Sequence, residues 1–100
     1  MGVPQIPVDE YVIETLMRDL VSHDKRPSAF LVYLYLWLRT VGRGRAGAHV
    51  SHQQLADATG LSKTAVQLAV KGLARRRLLR VRRGSPTATP EYFVQRPWAE

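Results

Sequence analysis

His52–Leu79, HQQLADATGLSKTAVQLAVKGLARRRLL, decides how this 100-residue chain is read. It divides into two helical patterns around a tight turn. Leu55 and Ala56 are apolar in the first, and Ala58 or Thr59 returns to the same face one turn later. Gly60 stands where a helix would end, because glycine takes the left-handed conformation without a steric penalty. Leu61 is an apolar plug, and Ser62 is a good N-cap whose hydroxyl can accept from an orphaned backbone N–H. Val66, Ala69, Val70 and Leu73 then recur at three- and four-residue spacing, one face of a helix running to about Arg76. Its other face carries Lys63, Thr64, Gln67, Lys71 and Arg75 and no acid. Small Ala56 lets the two helices cross closely.

Two helices joined by a short glycine turn, the second basic outward, is the arrangement that places a helix in a DNA groove. The bland alternative is a helical hairpin inside a larger core. Val50–Ser51–His52–Gln53–Gln54–Leu55–Ala56, then Gly60–Leu61–Ser62–Lys63–Thr64–Ala65–Val66, then Leu78–Leu79 resemble the winged helix-turn-helix domains of bacterial and phage regulators. The resemblance covers about residues 28–95. It implies a mainly α fold with a small β-hairpin wing, a three-helix core and here an extra N-terminal helix. Pro27–Ser28–Ala29–Phe30 before an aromatic helix also resembles the DNA-binding modules of plasmid and phage replication initiators.

Charge supports a polyanionic partner. Residues 1–38 hold three bases (Arg18, Lys25, Arg26) against five acids, net −2, whereas residues 39–100 hold twelve bases against three acids, net +9. A basic C-terminal two-thirds on a slightly acidic N-terminal third suggests one side for a polyanion and another for packing. Arginine outnumbers lysine twelve to three, which suits bidentate phosphate or guanine contact, although a GC-rich genome produces the same bias. With no cysteine there is neither a disulfide framework nor a thiolate metal site, which fits a reducing cytosol. MGVPQIPVDE lacks the pattern of a signal peptide, and the longest apolar run, Ala29–Leu38, is too short to span a bilayer. A soluble, cytoplasmic, nucleoid-associated protein is expected.

Along the chain, residues 1–7 read as an extended arm. Asp9 is the expected N-cap of a helix over 10–22, with Val8 and Ile13 as a hydrophobic staple. Ile13, Leu16, Met17 and Leu20 are its expected buried stripe, and Tyr11, Val12 and Val21 widen the apolar surface. Ser28 is the expected cap of a helix over 29–41, AFLVYLYLWLRTV, apolar all round and therefore central or covered by another chain. Tyr33, Tyr35 and Trp37 fall on several faces, as packing residues do and a base-stacking platform does not. Gly42–Gly47, GRGRAG, is a flexible basic loop without the spacing of a phosphate-binding loop. Ala48–Val50 reads as a short strand. Arg80–Arg83 and Glu91–Gln95 read as the wing hairpin around GSPTATP, with Val81 inward, Arg80 and Arg82 outward, and Tyr92 and Val94 on one face. Trp98 in the tail leans on the core. Three segments follow: 1–27, arm and helix with a possible dimerisation role; 28–95, the DNA-binding domain; and 96–100, the tail.

The candidate sites divide by task. Ser62, Lys63, Thr64, Gln67 and Lys71 on the recognition helix, residues 62–76, are the expected base readers. Lysine donates to guanine O6 and N7, and glutamine pairs bidentately with adenine. Arg43, Arg45, Ser51, His52, Arg75, Arg76, Arg80, Arg82 and Arg83 are the expected backbone contacts. Six arginines within nine residues, Arg75–Arg77, Arg80, Arg82 and Arg83, join that helix to the wing over 79–95. By family analogy, Arg82 and Arg83 lie along the neighbouring minor groove. His49 and His52 lack a third ligand, so no metal is expected. No cofactor or small-molecule ligand is evident. Ser51, His52 and Ser62 have no acid placed to orient a base, and Asp57 is the only acid between Arg39 and Thr89, so no catalytic residue is expected. The reading is a sequence-specific double-stranded DNA-binding transcription regulator, homodimeric through helix 10–22 or helix 29–41. The alternatives are a winged-helix protein–protein adaptor and a replication-initiator module.

Overall fold

In the computed structural model, which describes residues 2–99, four helices and a three-stranded sheet share one hydrophobic core. Helix α1 covers residues 10–23, and α2 is Pro27–Arg39, followed by a 3-10 turn at Val41–Arg43. Strand β1 is Ala48–His49, α3 is His52–Thr59, α4 is Lys63–Arg75, β2 is Leu79–Arg82 and β3 is Glu91–Val94. The sheet is antiparallel in the order β1-β3-β2, with Tyr92 of β3 between Ala48 and Val81. This is a winged helix-turn-helix fold.

Helix α2 is the axis of the core. Pro27 occupies its first turn, where a missing N–H costs nothing, and Arg26 before it is extended at φ −130° and ψ 72°. The helix thus starts one residue ahead of Ser28, which is not its cap, and ends at Arg39 rather than residue 41. Val32, Tyr33, Leu36 and Trp37 are fully buried. Burial leaves two polar tips, and each finds an acceptor: the Tyr33 hydroxyl donates to the Gln95 carbonyl at 2.9 Å, and Trp37 Nε1 donates to the Pro7 carbonyl at 2.8 Å. The aromatic residues of this helix therefore tie the wing and the N-terminal arm to the core.

Helix α1 departs from the expected stripe. Two stretches, Val12–Leu16 and Asp19–His23, are π-helical, closed by i→i+5 bonds from Met17 N–H to the Val12 carbonyl and from Asp24 N–H to the Asp19 carbonyl. The wider turn moves the buried line to every fourth residue, Val12, Leu16 and Leu20. Ile13, Met17 and Val21 form a parallel line left exposed. The staple is also absent, since Val8 and Ile13 both face solvent. Asp9 does not cap α1 with its side chain. Its carboxylate instead accepts from Trp98 Nε1 at 3.0 Å and Arg96 at 3.2 Å, and the Trp98 ring stacks on Tyr11 at 4.5 Å.

The helix-turn-helix forms as its local signals require. Ser51 and Gln54 make a reciprocal capping box: Gln54 N–H donates to Ser51 Oγ at 3.0 Å and Ser51 N–H donates to Gln54 Oε1 at 2.8 Å. Gly60 ends α3 at φ 80°, and Ser62 Oγ accepts from Ala65 N–H to start α4. Leu55, Val66, Ala69 and Leu73 are fully buried between α3, α4 and α2. Loop 42–47 is more tightly held than its composition suggests. A Cβ at Gly42 would meet the Ile6 side chain at 2.9 Å, and one at Gly47 would meet the Phe93 ring at 2.7 Å. On the wing, Val81 shares the inward face with Tyr92 but lies beyond the core edge and is 36% exposed. Among the described residues no helix is long and apolar enough to cross a membrane.

Candidate nucleic-acid interface

The outward surface of α4 begins at its N-cap. Ser62, Lys63, Thr64, Gln67 and Lys71 are all exposed, while Val66, Ala69, Val70 and Leu73 hold the opposite side in the core. Three elements meet in front of that N-terminal half. Lys63 and Gln67 from α4, Ser51, His52 and Gln53 from the start of α3, and Arg83 with residues 87–90 of the wing line one open cleft of about 260 Å³. Ser51 is occupied as a cap, so its hydroxyl serves the helix before it can serve a ligand. Burial lowers the pKa of His52, and the positive charges of Arg83 and Lys63 depress it further. The same field that disfavours a proton on His52 favours an anion in the cleft.

The remaining basic candidates are not brought to this cleft. Arg76 turns toward the N-terminal helix, 3.3 Å from Asp24 and 3.9 Å from Asp19. Arg75 lines the same α1–α2 end of α4, beside Leu20, Asp24 and Arg26. Arg80 and Arg82 stand on the outer face of the sheet, their guanidinium carbons 4.7 and 5.4 Å from the centre of the Phe93 ring, and Arg82 also pairs with Glu91. Arg43 and Arg45 line a further cleft with Arg39 and His49. The run of arginines that looks continuous in sequence is thus divided among three surfaces. A helix end, a left-handed residue at Arg77 (φ 59°) and a strand successively turn neighbouring side chains in different directions.

Four further residues bear on the site. Gln53 enters the cleft from the first turn of α3, where it also donates to Asp57 at 2.9 Å. Thr87 and Thr89 come from the wing turn, whose sequence signals only turn chemistry. Leu68 is 49% exposed beside Gln67, four residues after Thr64 and three before Lys71. Its signal was available: it is the large apolar residue of α4 outside the Val66–Ala69–Val70–Leu73 face. An exposed aliphatic side chain at such a place suits contact with a thymine methyl group.

Comparison with known proteins agrees with this architecture. A solved structure titled as the AntR antimony-specific transcriptional repressor superposes with a TM-score of 0.52 at 22% identity, covering 98% of this chain and 77% of that one. No curated protein matches. A family model described as a helix-turn-helix domain matches residues 23–79, from the end of α1 to the start of β2, and the chain belongs to that family.

Proposed function

We propose that the chain is a sequence-specific double-stranded DNA-binding transcription regulator of bacterial or phage type. The observation that carries this reading is the convergence of Lys63 and Gln67, the start of α3 and Arg83 on one acid-free cleft beside an exposed helix face. The N-terminal half of α4 enters the major groove, where Lys63 donates to guanine and Gln67 pairs with adenine, with Ser62, Thr64 and Lys71 at the margins of the footprint. His52 and Arg83 grip the flanking phosphates, which position the helix without reading sequence. Regulation is by occupancy of the site. The shared fold with a protein named as a transcriptional repressor supports this reading.

Residues 28–95 act as the DNA-binding unit in this scheme, with 1–27 as the dimerisation element and 96–100 as a tail. The exposed Ile13, Met17 and Val21 line on α1 supports dimerisation there, whereas α2 spends most of its apolar surface on its own core. The cytoplasm, on nucleoid DNA, is where such a protein works.

Duplex binding at rising salt tests the proposal. Affinity falls with a log–log slope of roughly −4 to −8 per protomer. Arg83→Glu weakens all duplexes alike, and Gln67→Ala changes which sequence is preferred. A flat salt response, or equal weakening of every duplex by Gln67→Ala, overturns the corresponding assignment.

A further inference from the structure

The outer face of the sheet carries charge that the recognition cleft does not use. The guanidinium groups of Arg80 and Arg82 lie over the Phe93 ring. Gly47 lies against the ring's edge, and a side chain there would hold the loop away from it. That close approach brings the cleft of Arg39, Arg43, Arg45 and His49 alongside the Arg80–Arg82 cleft. Glu91 is the acid on this sheet face, and its carboxylate is shared between Arg82 and His49. Among the described residues Arg39, Arg43, Arg45 and Arg80 take part in no ion pair.

This face looks away from the recognition cleft. Leu79 and Tyr92 turn into the core beneath the sheet, so Arg80, Arg82 and Phe93 stand on its opposite side. Arg83, one residue on, lines the cleft with Lys63. We infer that the outer sheet face is a second binding surface for the phosphodiester backbone of duplex DNA, engaging a segment other than the one in front of α4. One chain thereby holds two duplex segments at once. The chemistry selects this occupant. A protein partner needs an apolar centre to dehydrate, but Phe93 is covered by guanidinium groups. A single strand needs a free aromatic face for its bases, whereas the Phe93 ring is already engaged by two guanidinium groups. Unpaired, spaced arginines suit phosphates along a backbone.

The inference shares with the proposed function only the class of ligand, and stoichiometry separates them. A short random-sequence duplex is titrated into the protein at low salt, and the equivalents bound per chain are read by calorimetry and sedimentation. Wild type binds two equivalents per chain. R43E/R45E, two exposed loop changes, and separately Arg80→Gln each weaken one event, the double change by about tenfold or more. K63E/R83E weakens the other. The inference is overturned by a single equivalent lost through K63E/R83E alone, by two equivalents kept in both outer-face variants, or by both variant sets weakening the same event. One equivalent lost through R43E/R45E but kept in K63E/R83E overturns the recognition cleft instead and upholds the outer face. Absence of duplex binding at low salt overturns both.

Discussion

Helices α1 and α4 are of similar length and both carry an apolar line, yet their burial follows different periods. On α4, Val66, Ala69, Val70 and Leu73 are buried as a 3.6-residue turn dictates. On α1 the buried residues are Val12, Leu16 and Leu20, while Ile13 and Met17, which a regular helix would include, stay exposed. Helix α4 starts at a hydroxyl cap and follows a glycine turn, so its register is set before it meets the core. Helix α1 has no such start, because Asp9 is drawn to Arg96 and Trp98. Its register is set by the surface it covers, and it unwinds locally to cover it. A helix with its own caps brings its face to the core, whereas one without them is fitted by the core.

Core truncation gives the largest expected effects and tests that contrast directly. Leu73→Ala on α4 and Leu16→Ala on α1 each cost about 3 kcal/mol in chemical denaturation, since both side chains are almost wholly buried. Met17→Ala costs about 0.5 kcal/mol or less in the monomer. Equal losses at Leu16 and Met17 would restore the regular stripe and erase the distinction. Gly60→Ala comes next: the left-handed φ of 80° adds about 1–2 kcal/mol of strain, and the melting temperature drops accordingly. Ser51→Ala removes half of the capping box and costs about 1 kcal/mol, whereas Asp9→Asn, at a partly exposed pair, costs no more than about 1 kcal/mol and less at high salt. A larger effect at Asp9 than at Ser51 would show that its bonds to Arg96 and Trp98 outweigh a local helix cap.

The smallest effect concerns pH. His52 has a folded-state pKa below the ordinary 6.5, so between the two values the unfolded chain holds more protons. Stability is therefore full above about pH 6.5 and declines as pH falls toward the folded value. His52→Gln flattens that decline, measured as denaturation midpoints between neutral and mildly acidic buffer.

Much of the fold was legible because its signals are short-range. Ser51, Gln54, Gly60 and Ser62 act on backbone groups within four residues, and the apolar spacing of α4 repeats within one turn. The wing strands and the central place of α2 also followed from pattern. The candidate site was legible in part: Lys63, Gln67, His52 and Arg83 do share a cleft, but Arg76, Arg80 and Arg82 do not belong to it. Proximity in sequence across a helix end, a left-handed residue and a strand carries no information about direction.

By itself, then, the order of residues settled a capped helix, a glycine turn and a second helix with one basic and one apolar side, because these depend on hydrogen bonds and spacings internal to the segment. The folded whole alone decided which line of α1 is buried, where Asp9 spends its charge and how the arginines are shared among surfaces. Those outcomes depend on partners such as Arg96 and Trp98, nearly the full chain away from Asp9, and on strand pairing that places Phe93 beside Gly47.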